Sequence, residues 1–141
     1  MTDWLLDTNI LSELRRPRPN AKVVRFVEEK PIERFYVSVV TFAEIRFGIE
    51  SVEDATRRAA LRDWLELTVR PMFGQRVLQV GEEVMLKWRL LVEDGRKAGH
   101  TYSQPDLIIA ATALYYGMHV VTRDTAEFKR AGVPVFDPWR E

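Results

Sequence analysis

Four acids in this chain stand just after short apolar runs or at the start of helical ones. Asp7 ends Trp4-Leu5-Leu6-Asp7, Glu44 closes Thr41-Phe42-Ala43-Glu44, Asp106 closes Ser103-Gln104-Pro105-Asp106, and Asp124 closes Thr122-Arg123-Asp124. Carboxylates gathered in one pocket repel, and some stay protonated unless a cation neutralises them. An all-oxygen set is hard, so it suits Mg2+ or Mn2+ rather than Zn2+. A dication held this way lowers the pKa of bound water and stabilises in-line displacement at phosphorus. The chemistry indicated is metal-assisted phosphodiester hydrolysis. In that reading Asp7 and Asp106 are direct ligands, while Glu44 and Asp124 complete the shell, hold metal-bound waters or carry a second ion. Asn9 and Thr122, short polar groups beside Asp7 and Asp124, are candidates to fix a water or a carboxylate, or to serve as turn and cap residues. Arg123 is a candidate phosphate contact, with a salt bridge as its more ordinary use.

The same acids also fit a plainer role. Thr41-x-x-Glu44 and Ser103-x-x-Asp106 match the capping box, and Asp124-x-x-Glu127 is a cap followed by an acidic third position. A cap of this kind is worth roughly 0.5–2 kcal/mol, from satisfied N–H groups and a favourable macrodipole. On that alternative the chain is a catalytically silent protein-binding module whose acids serve as helix caps. What separates the two readings is whether all four acids meet, and that depends on the elements that carry them.

Trp4–Leu6 reads as a strand, after which Asn9 can cap a helix to about Arg16, closed by Pro17 and Pro19. Asn20 caps a second helix that Pro31 ends. Phe35-Tyr36-Val37-Ser38-Val39-Val40 is aromatic and β-branched, a second strand. Thr41 then opens a helix, and a longer one runs from about Asp54 to Arg70, where Pro71 stops it. Val77–Val80 is a third strand, followed by a helix carrying Val84, Trp88, Leu91 and Val92 on one face and ended by Gly95 or Gly99. The segment from Ser103 opens a helix that is apolar nearly all round through Leu114, hence buried. His119–Thr122 is a fourth strand and Val133–Phe136 a fifth, placed at an edge because Pro134 cannot donate to a ladder. Strands alternating with helices imply parallel pairing through right-handed crossovers, with helices on both faces. Ligands of such sheets bind beyond the C-terminal strand ends, which is where the four acids lie.

Composition narrows the field further. With 141 residues the chain reads as a single domain spanning 1–141, large enough to bury a core unaided. Bases and acids number 21 each, so any attraction to nucleic acid must be local, although 16 of the bases are Arg, the better bidentate phosphate ligand. Arg15, Arg16, Arg18 and Arg46 fall near the strand-end helices. The absence of cysteine excludes disulfides, thiol nucleophiles and thiolate metal sites. His100 and His119 lack ligand spacing and are expected to be ordinary surface or strand residues. No signal peptide and no run near the roughly 18 apolar residues of a membrane span is evident, so a cytoplasmic location is expected. A haloacid dehalogenase-type phosphatase needs a second Asp two residues after the first, where this chain has Asn9. A phosphoreceiver wants an acidic pair there, but Leu6 precedes Asp7.

Taken in order, Leu5-Leu6-Asp7-Thr8-Asn9, Ser38 to Ile45, Pro105 to Ala113 and Val121 to Phe128 resemble the four acidic motifs of PIN-domain nucleases, and most nearly those of VapC-type toxins, including the FitB-like branch. The resemblance spans essentially the whole chain. It implies an α/β fold of three α/β/α layers with a short, mainly parallel sheet of four to five strands. It also implies a Mg2+-dependent endoribonuclease whose four acids are Asp7, Glu44, Asp106 and Asp124, with Mn2+ able to stand in. The implied partners are an RNA substrate, a second copy in a homodimer, and a small antitoxin that blocks the active site and carries a DNA-binding segment. One departure is mild: many relatives have Asp or another polar residue at Glu127.

Overall fold

A computed structural model describes all 141 residues. Its strands are β1 (Trp4–Leu6), β2 (Phe35–Ser38), β3 (Val77–Leu78), β4 (His119–Val121) and β5 (Val135–Phe136). They form one sheet in the order β3-β2-β1-β4-β5. Every neighbouring pair is parallel, so the sheet is all-parallel rather than mainly so. The helices are α1 (Thr8–Arg15), α2 (Ala21–Glu29), α3 (Val39–Glu50), α4 (Ala55–Trp64), α5 (Arg70–Phe73), α6 (Glu82–Lys97), α7 (Asp106–Tyr116) and α8 (Thr125–Arg130).

The period of two along the central strand divides the interior into two cores. Leu6 faces one with Ile10, Val23, Phe26 and Phe42, beneath α1, α2 and α3. Leu5 faces the other with Val84, Leu91, Ala110, Ala113 and Phe128, beneath α6, α7 and α8. Burying such aliphatic side chains is worth roughly 1.5–3 kcal/mol each. Three α/β/α layers result. Because β2 and β3 extend to one side of β1 while β4 and β5 extend to the other, the chain order reverses at β1 and opens a crevice above its C-terminal end.

Several boundaries differ from those the sequence suggests, each for a local reason. Asp7, not Asn9, occupies the cap of α1, its carboxylate accepting from Thr8 N. The β-branched pair Val39-Val40 belongs to α3, because Ser38 stops β2 and caps the helix by accepting from Val40 N. Thr41 therefore lies inside the first turn, buried, its hydroxyl without a partner. Pro71 does not end the long helical stretch. A wide turn over Leu65–Val69, with Arg70 N bonded to Leu65 O, comes just ahead of it and relieves the clash of the ring with the preceding carbonyls; the helix stops instead at Gly74, where φ is +56°. Gly95 lies inside α6, and Gly99 (φ +72°) follows its end. Thr122 and Val133 fall just outside β4 and β5, and β5 is at the sheet edge, as expected.

Candidate active site

Adjacent strands β1 and β4 end together, and their first residues beyond the sheet meet. Asp7 N donates to Val121 O at 3.0 Å, and the Thr122 hydroxyl donates to Asp7 Oδ2 at 2.8 Å in a buried contact. The same hydroxyl accepts from Asp124 N at 3.0 Å and from the Asn9 amide at 3.2 Å. Asn9 also reaches Asp124 Oδ2 at 3.4 Å, and its carbonyl oxygen accepts from Arg123 N at 3.3 Å. Asn9 and Thr122 thus tie Asp7 to Asp124. Each is placed by one turn of chain immediately after a strand, which is why short polar side chains suffice.

Across the crevice, Asp106 is the first residue of α7 and Glu44 sits in the second turn of α3. Asp7, Glu44, Asp106 and Asp124 all line one cleft of about 640 Å³, together with Asn9, Arg15, Arg16, Arg123 and Trp139. Of the four sequence-predicted acids only Asp7 caps a helix. Pro105 and Asp124 hold the cap positions of α7 and α8 with no side-chain cap bond, and neither capping box forms.

Electrostatics record the crowding. Burial pushes the Asp7 carboxyl up, against the opposing pull of the Thr122 hydroxyl and the Thr8 amide. Half-buried Asp106 is pushed up to about 6, first by burial and then by repulsion from Asp7, Asp124, Glu127 and Glu44. Only oxygen donors face one another here, the chemistry that suits a hard dication. As the side chains stand, no three of them close on a point that would hold an ion. Glu44 and Asp124 are exposed at the rim, so closing the set requires these side chains to turn inward.

Other residues are placed partly as the sequence patterns suggest and partly otherwise. Arg123 makes no salt bridge; its guanidinium lies 5.2 Å from the ring centre of Trp139. Arg15 and Arg16 line the cleft, whereas Arg18 and Arg46 do not. His100 is not an ordinary surface histidine: it pairs with Glu127 at 3.1 Å and packs edge-on against Tyr102. His119 packs against Trp4. Glu127, whose oxygen also accepts from Ser103 N at 3.2 Å, ties α8 to the loop entering α7. Buried Glu13 accepts from Asn20 N at 2.8 Å and pairs with Arg16, which together hold its carboxyl below the usual range. Glu127 carried a weak sequence signal as the third residue after Asp124. Trp139, near the C-terminus, carried none.

A family model described as the PIN domain matches residues 4–134. The chain belongs to the PIN-domain family. Among curated relatives, the plasmid stability protein StbB of Pseudomonas syringae pv. tomato is 40% identical over 96% of this chain and 97% of its own. The toxin FitB of Neisseria gonorrhoeae is 36% identical over 97% of this chain and 99% of its own. The VapC ribonuclease Y4jK of Sinorhizobium fredii is 35% identical over 96% of each. The crystal structure of FitAcB from Neisseria gonorrhoeae superposes with a TM-score of 0.92, covering 98% of this chain and 99% of that one; FitAB bound to an IR36 DNA fragment gives 0.89, covering 96% and 95%. This PIN domain therefore falls among the VapC-type toxins. No helix in it is long and apolar enough to cross a membrane.

Proposed function

We propose that this PIN domain is a metal-dependent endoribonuclease, the toxin of a type II toxin–antitoxin pair, and that Asp7, Glu44, Asp106 and Asp124 are its catalytic and metal-holding residues. The observation that carries the reading is the meeting of four distant acids in one cleft, where burial first and repulsion from the other acids second push Asp106 up to about 6. Asp7 and Asp106 would hold Mg2+ or Mn2+ directly, with Glu44 and Asp124 taking its waters or a second ion. The ion, when bound, supplies an activated water and charge stabilisation at phosphorus. Within the protein, the Thr122 hydroxyl fixes the orientation of the Asp7 carboxylate, and Asn9 holds Asp124 beside it. The VapC relative bears the name ribonuclease, which supports RNA as the substrate. The FitAB structure with DNA supports a partner that carries a DNA-binding segment; in this proposal that partner is a small antitoxin that blocks the cleft. A homodimer in the cytoplasm, with residues 1–141 acting as a single PIN domain, completes the proposal.

The silent-module alternative needs acids that cap helices, and three of the four have no such bond. Incubating the purified chain with structured RNA tests the proposal. Cleavage is expected with Mg2+, and its loss with chelator or with Asp7→Asn. Cleavage that survives either one rejects the mechanism.

A further inference from the structure

An acid-lined cleft sets a problem for any arginine placed in it. A guanidinium beside free carboxylates collapses onto them in a bidentate pair, and would occupy the oxygens that an ion needs. Arg16 is drawn to a carboxylate in this way, pairing with Glu13 through one contact at 3.3 Å. Arg15 and Arg123 line the same cleft and take part in none of the ion pairs of the chain. Each lies over an indole instead, Arg123 at 5.2 Å from the ring centre of Trp139 and Arg15 at 5.8 Å from that of Trp64. An aromatic face attracts a cation through its quadrupole and leaves the positive charge uncancelled.

Both platforms are fixed. Trp64 and Trp139 are half-buried and pack on the same apolar core beneath α1 and α3. The Trp139 amide donates to Asp137 Oδ1 at 2.9 Å, which sets the C-terminal turn. Arg123 is held at its own backbone by Asn9. Glu13, near enough to feel the charge of Arg123, already has one oxygen engaged by Asn20 N and the other by Arg16. Arg15 lies on the α3 and α4 side of the cleft, Arg123 on the β5 side. With a net charge of zero, the chain draws no polyanion as a whole.

We propose that Arg123 on Trp139 and Arg15 on Trp64 are phosphate-binding pairs that seat the backbone of one RNA strand across the cleft, flanking the carboxylates. The indoles act as spacers: they present two guanidinium forks to phosphates while keeping them off the acids. This rests on the reading of the cleft as an RNA-cleaving site.

The test uses an uncleavable 2′-O-methyl RNA oligonucleotide in Mg2+, with binding followed by fluorescence anisotropy. Arg123→Ala and Arg15→Ala are each expected to weaken binding by about tenfold, the loss of one charge-assisted contact. Each should also reduce the slope of log affinity against log salt by about 1. Arg123→Lys should recover part of the loss. On cleavable RNA the same variants should raise KM far more than they lower kcat. Trp139→Leu removes the spacer but keeps an apolar side chain: it is expected to lower RNA affinity and also Mn2+ affinity, read by electron paramagnetic resonance of the free ion. Adding Arg123→Ala to Trp139→Leu should restore Mn2+ affinity, a recovery that a merely structural tryptophan would not show. If wild type cleaves RNA but both alanine variants bind the oligonucleotide normally with unchanged salt slopes, this inference alone falls. If wild type neither cleaves nor binds RNA, the reading of the cleft falls and takes this one with it.

Discussion

At the scale of single residues, the cleft is held by a few polar contacts whose removal has opposite consequences. Thr122 donates to buried Asp7 and accepts from both Asn9 and Asp124 N. Thr122→Val keeps the volume and strands these groups, so a loss of about 1–3 kcal/mol is expected in denaturant unfolding. It also removes a bond that pulls the Asp7 carboxyl down, so Mg2+ affinity at neutral pH should fall with it. Asp106 behaves in the other direction. Its carboxyl titrates near 6 in the folded chain against an ordinary 3.8, so the folded state binds the proton more tightly and stability declines as pH rises between those values. In chelator at pH 7, Asp106→Asn should therefore be more stable than wild type by about 1–2 kcal/mol, a figure reduced because the group is half exposed and a helix N-terminus prefers an anion. The advantage should shrink towards pH 4. A variant less stable than wild type at pH 7 would place Asp106 among structural acids. The four acids were legible from sequence because Asp7 and Asp124 follow apolar strands and Glu44 and Asp106 lie in the opening turns of helices. The contacts of Glu127 and Glu13 were not, since their partners, His100, Ser103 and Asn20, are joined to them by loops whose path no local pattern specifies.

At the scale of elements, local patterns located every strand and every helix except the short α5 and α8, and most boundary errors fall where one local signal overrides another. Val39 and Val40 look like strand and are helix because Ser38 caps α3. Pro71 looks like a stop and is tolerated because the turn ahead of it is wide. Gly95 is the most instructive of these. Glycine inside a helix costs roughly 0.5–1 kcal/mol against alanine, so propensity alone predicts that Gly95→Ala stabilises. A β-carbon there would meet His100 O at 2.8 Å and the Tyr102 ring at 2.9 Å. His100 O is backbone in the loop that Glu127 secures on the way to Asp106, and it cannot yield without moving that loop. We expect Gly95→Ala to destabilise by about 1–3 kcal/mol, as overpacking does, and to weaken Mg2+ binding at the far end of the loop. Thermal melts with and without Mg2+ check both. Stabilisation by the alanine would mean that the approach of α6 to this loop is loose.

At the scale of the whole molecule, the site is a property of the fold and of nothing smaller. Its acids come from residues 7, 44, 106 and 124, brought to one cleft by a sheet whose central strand is also its point of reversal. No shorter stretch of chain contains more than one of them within a turn of another, so the unfolded chain offers an ion at most scattered single carboxylates. A dication that binds the cleft consequently binds the native state alone and stabilises it by mass action. At a free Mg2+ concentration 100 times its dissociation constant, the gain is about 2.7 kcal/mol. For a chain of this length that corresponds to a rise in Tm of roughly 5–10 °C. The rise should continue with the logarithm of concentration, should exceed anything produced by NaCl at matched ionic strength, and should vanish in the Asp7→Asn, Asp106→Asn double variant. That variant is expected to start from a higher Tm than wild type in chelator, because two buried, mutually repelling carboxylates have been removed from its native state, and to be overtaken as Mg2+ is added. The crossing of the two curves is the signature of acids kept for an ion at a cost to the fold. Parallel curves, or a wild-type Tm indifferent to Mg2+, would leave the convergence of the four carboxylates without a metal to explain it.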